Sequence, residues 1–169
     1  MTITAFLTDL LEREAAISRR VLERVPEGKP DWKPHEKSMA MGYLATLVAA
    51  MPDWIAMMVH QDSLDLKPAS GQGYKPPPTS TKAELLAAAD STLAKAREAL
   101  RSTNDEFLAT KWQLLVGGHV VSETPRHVAI ADTLTHLAHH RGQLTVYLRL
   151  NDAKVPSIYG PSADDRTFG

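Results

Sequence analysis

The stretch from Met39 to Val59, "MAMGYLATLVAAMPDWIAMMV", constrains the fold more than any other part of the chain. It is apolar on nearly every side of a helix, so it has no face to give to water. It is also long enough to raise the question of a membrane span. Pro52 and Asp53 fall inside it, and much of it is alanine and methionine. A charge near the middle of a bilayer is costly. The run therefore reads as the central helix of a bundle, begun after Ser38 as N-cap and kinked or divided at Pro52.

The flanking segments supply helices to surround it. Ile3, Phe6, Leu7, Leu10, Leu11, Ile17, Val21 and Val25 form one apolar stripe at helical spacing, stopped by Pro26 and Gly28. "PEGKPDWKPHEKS" is too rich in proline for a helix, and "DSLDLKPASGQGYKPPPTS" reads as a second long loop, held extended by the prolines at 76–78. Thr81 and Glu84 have capping-box spacing, and Leu85, Leu86, Ala89, Leu93, Ala96 and Leu100 continue a third helix. In "KWQLLVGGHVVSE" two β-favouring runs flank Gly117-Gly118, which predicts a hairpin packed on the bundle. Thr124 as N-cap and Pro125 in the first turn open a last long helix, closed near Leu150 by Asn151. The expectation is a single all-α domain over residues 1–169, a four-helix bundle with a small β-hairpin before its last helix.

Composition removes several functions. Nineteen basic residues face twenty acidic ones, giving a net charge of −1. That excludes the footprint of a general nucleic-acid binder, and no basic run supports docking on a membrane. The absence of cysteine excludes disulfides, thiolate ligands and a cysteine nucleophile. "MTITAFLTDLLERE" has no basic segment followed by a long apolar one, so no signal peptide is read and a cytoplasmic location is expected. No GxSxG, Walker or dinucleotide pattern occurs, and "GQG" at 71–73 sits between loops. Glu12, Glu14, Glu84 and Glu98 read as solvated charges, and Trp32, Trp54 and Trp112 as core residues. Tyr43, Tyr147 and Tyr159 are within possible reach of a polar pocket.

The chemistry concentrates in "THLAHHRGQL", Thr135 to Leu144. His136 and His140 are four apart, so both rings leave one helix face about a turn apart, where they can share a divalent ion. The alternative is a packed helix whose histidines flank Leu137, Leu144 and Leu148 and bond locally. His139 points to the other edge of that face. Arg141 is either a fixed charge that disfavours protonated imidazole or a solvated side chain. Asp132, one turn before His136, is too far along the axis to join both histidines on one ion. It reads as an orienting partner or an exposed charge.

With these residues the chain resembles the DinB-like (YfiT-like) family of four-helix-bundle proteins. The similarity lies in "DWKPHEKSMAMGYLA" with "MPDW", in "HLAHHRGQLTVYLR" and in "PSIYGPSADD". The resemblance implies a divalent ion, zinc or nickel, held by His136, His140 and a third histidine from the second helix. In "LATLVAAMPDW" that third position is Leu47, and leucine cannot coordinate. Met51, a turn further on, offers only a soft thioether. The implied metal is therefore weak or absent. The resemblance further implies a homodimer and one of two functions. One is a thiol-transferase-like enzyme, with a low-molecular-weight thiol at an open metal position. The other is a non-catalytic bundle whose apolar pocket holds a small ligand, or which serves as a stress-response interaction module.

Overall fold

Helix α1, Ile3–Leu22, starts where the Thr2 hydroxyl accepts from the Ala5 N–H. Its buried residues, among them Leu7, Leu11, Ala15, Ser18 and Leu22, recur at helical spacing and form the face turned to the core. This computed structural model describes residues 1–76 and 78–167. The predicted extended proline run thus falls partly on Pro77, outside the described residues.

The apolar run does occupy the centre. It forms α2, Met41–Ala50, and α3, Pro52–His60, bent by 45° at their junction. Every residue from Leu44 to Pro52 is buried. Pro52 sits in the first turn of α3, where its missing N–H and its ring break the continuing ladder. Among the described residues no single helix is long and apolar enough to cross a membrane.

The start of α2 differs from expectation. Ala40, not Ser38, is its N-cap, and no side chain caps it. The Met41 and Gly42 N–H groups donate instead to the carbonyls of Trp32 and Pro30 in the preceding loop. Those backbone acceptors satisfy the helix end that a serine would otherwise serve. Gly42 permits the approach, since a Cβ there would lie 3.0 Å from the Pro30 side chain.

Helix α4, Lys82–Arg101, opens with the capping box of Thr81 and Glu84. A short α5, Asp105–Leu108, follows. Strands β2, Lys111–Val116, and β3, His119–Pro125, pair antiparallel across Gly117 and Gly118. Both glycines have positive φ, and the Asp65 carboxylate accepts from both of their N–H groups. Asp65 belongs to β1, Ser63–Asp65, which pairs parallel with β2. The result is a mixed three-stranded sheet, not an isolated hairpin, and β1 lies in the segment read as a loop. Its three residues carry no local strand signal, because their partner is some fifty residues away. Among the described residues the fold is mostly helical, with six helices and this sheet, where the sequence predicts an all-α protein of four helices.

Helix α6, Arg126–Leu150, follows β3 without a loop. Thr124 is therefore not its cap, and Pro125 is not in its first turn but is itself the N-cap residue, with no side-chain capping bond; both end β3, opposite Trp112 and Lys111. Arg126 secures the junction. Its side chain is 2% exposed, donates to the Met58 and Gln61 carbonyls at the end of α3, and lies over the Phe107 ring. Asn151 is the C-cap of α6, and the left-handed residue after the helix is Asp152.

Candidate histidine site and adjoining cavity

Helix α6 carries both histidines of the pair. Their ring centroids are 4.5 Å apart, and His139 lies 5.1 Å from His140 and 6.4 Å from His136. The i, i+4 spacing alone produces this closeness. The rings differ in surroundings. His140 is buried, whereas His136 and His139 are exposed. Nδ1 of His140 lies 2.8 Å from the Gln143 carbonyl oxygen. That oxygen only accepts, so in the neutral ring Nδ1 carries the proton and Nε2 keeps its lone pair.

His136 packs on the Trp54 indole at 5.8 Å, and Trp54 meets Tyr74 edge-on at 6.0 Å. Desolvation lowers the His136 pKa, and the neighbouring His140 and His139 add to the effect. Arg141 is neither a solvated residue nor the charge that acts on the pair. It is 1% exposed and turned toward α1, where it bonds the Glu14 carbonyl, the Ser18 hydroxyl and the Glu14 carboxylate, the last at 2.7 Å. Glu14 is correspondingly 8% exposed, not a solvated face residue, and Tyr159 donates to it.

The sign of the His136 shift makes a prediction. In metal-free protein His136 should lose its proton below the ordinary imidazole value of about 6.5. A depressed folded pKa means that the unfolded chain binds the proton more readily. Stability from this group is present above that ordinary value and declines as pH falls through the depressed one. Ring-proton NMR titration reads the value directly. A midpoint at or above the ordinary one would contradict the placement of His136 against Trp54. His140→Ala should relieve only the smaller, charge-based share.

The donor set does not fit the metal that the resemblance implies. Leu47 is 8% exposed and Met51 fully buried, both within the hydrocarbon core. Asp132 is exposed. Among the described residues no group of three His, Cys, Asp or Glu is placed to hold an ion. Two imidazoles fall short of the three protein ligands that a catalytic zinc ordinarily has.

What adjoins His136 is a cavity of about 320 Å³ between α3, the sheet and α6. Met57, Leu64 and Leu114 contribute hydrocarbon to its wall. Trp54, Tyr74 and Trp112 supply aromatic surface, and Asp132, His136, Ser122, Thr124 and Thr133 are its other polar lining residues. Sequence reasoning treats Trp54 and Trp112 as core, and the structure gives both a wall of this cavity as well. None of Tyr43, Tyr147 and Tyr159 lines it. The phenol there is Tyr74, from the loop before α4, whose pKa burial raises. No pattern in the sequence marks Tyr74, because its neighbours in the cavity come from three distant elements.

Comparison with known proteins agrees with this architecture. The model of the DinB family matches residues 4–167. A DinB-like protein from Bacillus cereus superposes with a TM-score of 0.66 at 18% identity, covering 88% of this chain and 92% of that one. A DinB-like protein (YjoA) from Bacillus subtilis gives a TM-score of 0.66 at 18% identity, covering 95% of this chain and 99% of that one. At that identity the likeness concerns the fold. No curated protein matches the chain.

Proposed function

The chain belongs to the DinB family, and from that premise we propose that it is a small-molecule-binding protein whose ligand enters the cavity beside His136. One observation carries the reading. A space of about 320 Å³ with aromatic and aliphatic walls adjoins His136, whose pair with His140 has no third donor among the described residues. Mostly apolar cavities with a few polar groups at one side are the usual form of a small-molecule site. In this reading His136 and Asp132 orient the polar end of the ligand and the sheet closes the far wall.

A naphthalene-sized apolar probe should bind and quench tryptophan emission, in the presence of a chelator as well as without it. Leu114→Trp, which fills the space, should abolish the binding. Binding that survives filling, or that needs added zinc, would refute the assignment.

A second reading has one specific observation in its favour. The bond from His140 Nδ1 to Gln143 leaves Nε2 free, the orientation a metal-bound imidazole requires. In that reading His136 and His140 hold zinc or nickel weakly, as part of a thiol-transferase-like enzyme. Metal analysis of untagged protein separates the two, and unchanged content in His136→Ala would remove the ligand assignment.

A further inference from the structure

We propose that the cavity beside His136 takes an apolar amine in its ammonium form, with the charged nitrogen on the Asp132 carboxylate at the mouth and the hydrocarbon body between α3, the sheet and α6. The inference rests on the ligand-binding reading and narrows its chemistry to a lipophilic cation.

Helix α6 gives the cavity Ala129, Asp132, Thr133 and His136. Positions i, i+3, i+4 and i+7 share one face of a helix, so the Asp132 side chain stands on the stripe turned to the cavity. That stripe has a dry edge and a wet one. Ala129 and Thr133 are buried, whereas Asp132 and His136 are exposed. The carboxylate therefore sits where the cavity meets solvent. On the dry edge the Thr133 hydroxyl already donates to the Ala129 carbonyl, so it leaves little polarity inside. Room is sufficient for a ring with a short side chain: a protein cavity of about 150 Å³ accepts benzene, and this one has about 320 Å³.

Charge selects the ligand. Among the described residues Asp132 is the one carboxylate in the lining, and no lysine or arginine lines the space. Arg126, at the start of the same helix, is spent on the Met58 and Gln61 carbonyls and the Asp62 carboxylate. On α3, Asp53 is paired with Lys95 of α4. An ammonium at the mouth meets an opposite charge and can donate N–H bonds to it, the stronger kind of hydrogen bond. A carboxylate ligand meets a like charge and no counter-ion. A neutral ligand leaves Asp132 to water and gains nothing from it.

Three probes with one body separate these cases: 2-phenylethylamine, 2-phenylethanol and phenylacetate. They are titrated at pH 8 with a chelator present, so that an ordinary imidazole, which titrates at about 6.5, carries no charge. Shifts of the Leu114 and Ala129 methyl signals in NMR spectra place each probe in the cavity and give its affinity. The amine should bind about 5-fold tighter than the alcohol, the upper worth of an exposed ion pair. Phenylacetate should bind most weakly of the three. The amine's advantage should shrink as salt is added, because Asp132 is exposed. Asp132→Asn keeps the shape and removes the charge; it should abolish the advantage and leave the affinity for the alcohol unchanged. Equal binding of amine and alcohol, a preference for phenylacetate, or an amine preference that survives Asp132→Asn would overturn this inference and leave the ligand-binding reading standing. Should none of the three move those signals, the ligand-binding reading falls with it. The three titrations of the natural chain decide the matter even where the variant fails to fold.

Discussion

Arg141→Met should cost about 3–5 kcal/mol of stability, the usual result of removing one member of a buried ion pair. Arg141 and the Glu14 side chain are 1% and 10% exposed, and the arginine also bonds the Glu14 carbonyl, the Ser18 hydroxyl and Tyr159. Methionine fills much of the same volume, so the loss reports the charge and its hydrogen bonds more than a cavity. What remains is a nearly buried carboxylate that, among the described residues, keeps the Tyr159 hydroxyl as its side-chain partner. The double variant Glu14→Met/Arg141→Met removes that stranded charge and should be more stable than Arg141→Met alone. Urea unfolding of the two single variants and the double one closes the cycle. A loss within about 1 kcal/mol for Arg141→Met, or simple additivity in the double variant, would show that the pair is not coupled as its geometry requires.

This pair also shows where a sequence stops being informative. Glu14 and Arg141 stand 127 positions apart, Glu14 in a charged run and Arg141 beside His139 and His140, and nothing local to either points to the other. Only the packing of α1 along α6 joins them. The same distinction separates the other outcomes. The burial of the apolar run from Leu44 to Pro52, the box at Thr81 and Glu84, and the break at Pro52 are local properties, written within a few residues. Strand β1 is not, because a parallel partner carries no signal within its own three residues. Nor is the start of α6, where pairing with Lys111 and Trp112 holds Thr124 and Pro125 in a strand that their helix-starting chemistry would otherwise leave. The cap of α2 was hidden for a related reason: carbonyls of the loop residues Pro30 and Trp32 stand in for a side chain.

The candidate site divides along the same line. The closeness of His136 and His140 follows from their spacing, and the structure gives 4.5 Å between rings. The absence of a donor at Leu47 is equally visible in the sequence. The cavity is not, since Trp54, Tyr74, Trp112 and His136 come from a helix, a loop, a strand and another helix. A tryptophan in a β-favouring run looks like core whether or not it also lines a cavity.

Leu47→His should raise the affinity for zinc about 100-fold or more. Orienting partners of ligands already contribute about 10–100-fold, and a third imidazole adds a whole coordination bond. The pair needs little rearrangement to accept it, because its rings are adjacent and Gln143 fixes the orientation of His140. Helix α2, which carries Leu47, packs against α6. A histidine at this nearly buried position should destabilise the metal-free protein by about 1–3 kcal/mol, since a polar ring replaces hydrocarbon in the core. Zinc should then restore stability in Leu47→His far more than in the natural chain, through its preference for the folded state. Adding His136→Ala to Leu47→His should remove the gain, which separates a three-imidazole site from adventitious binding at the new histidine. Calorimetric titration and zinc-dependent unfolding report the two effects separately. If affinity does not change while the fold persists, Leu47 does not face the pair.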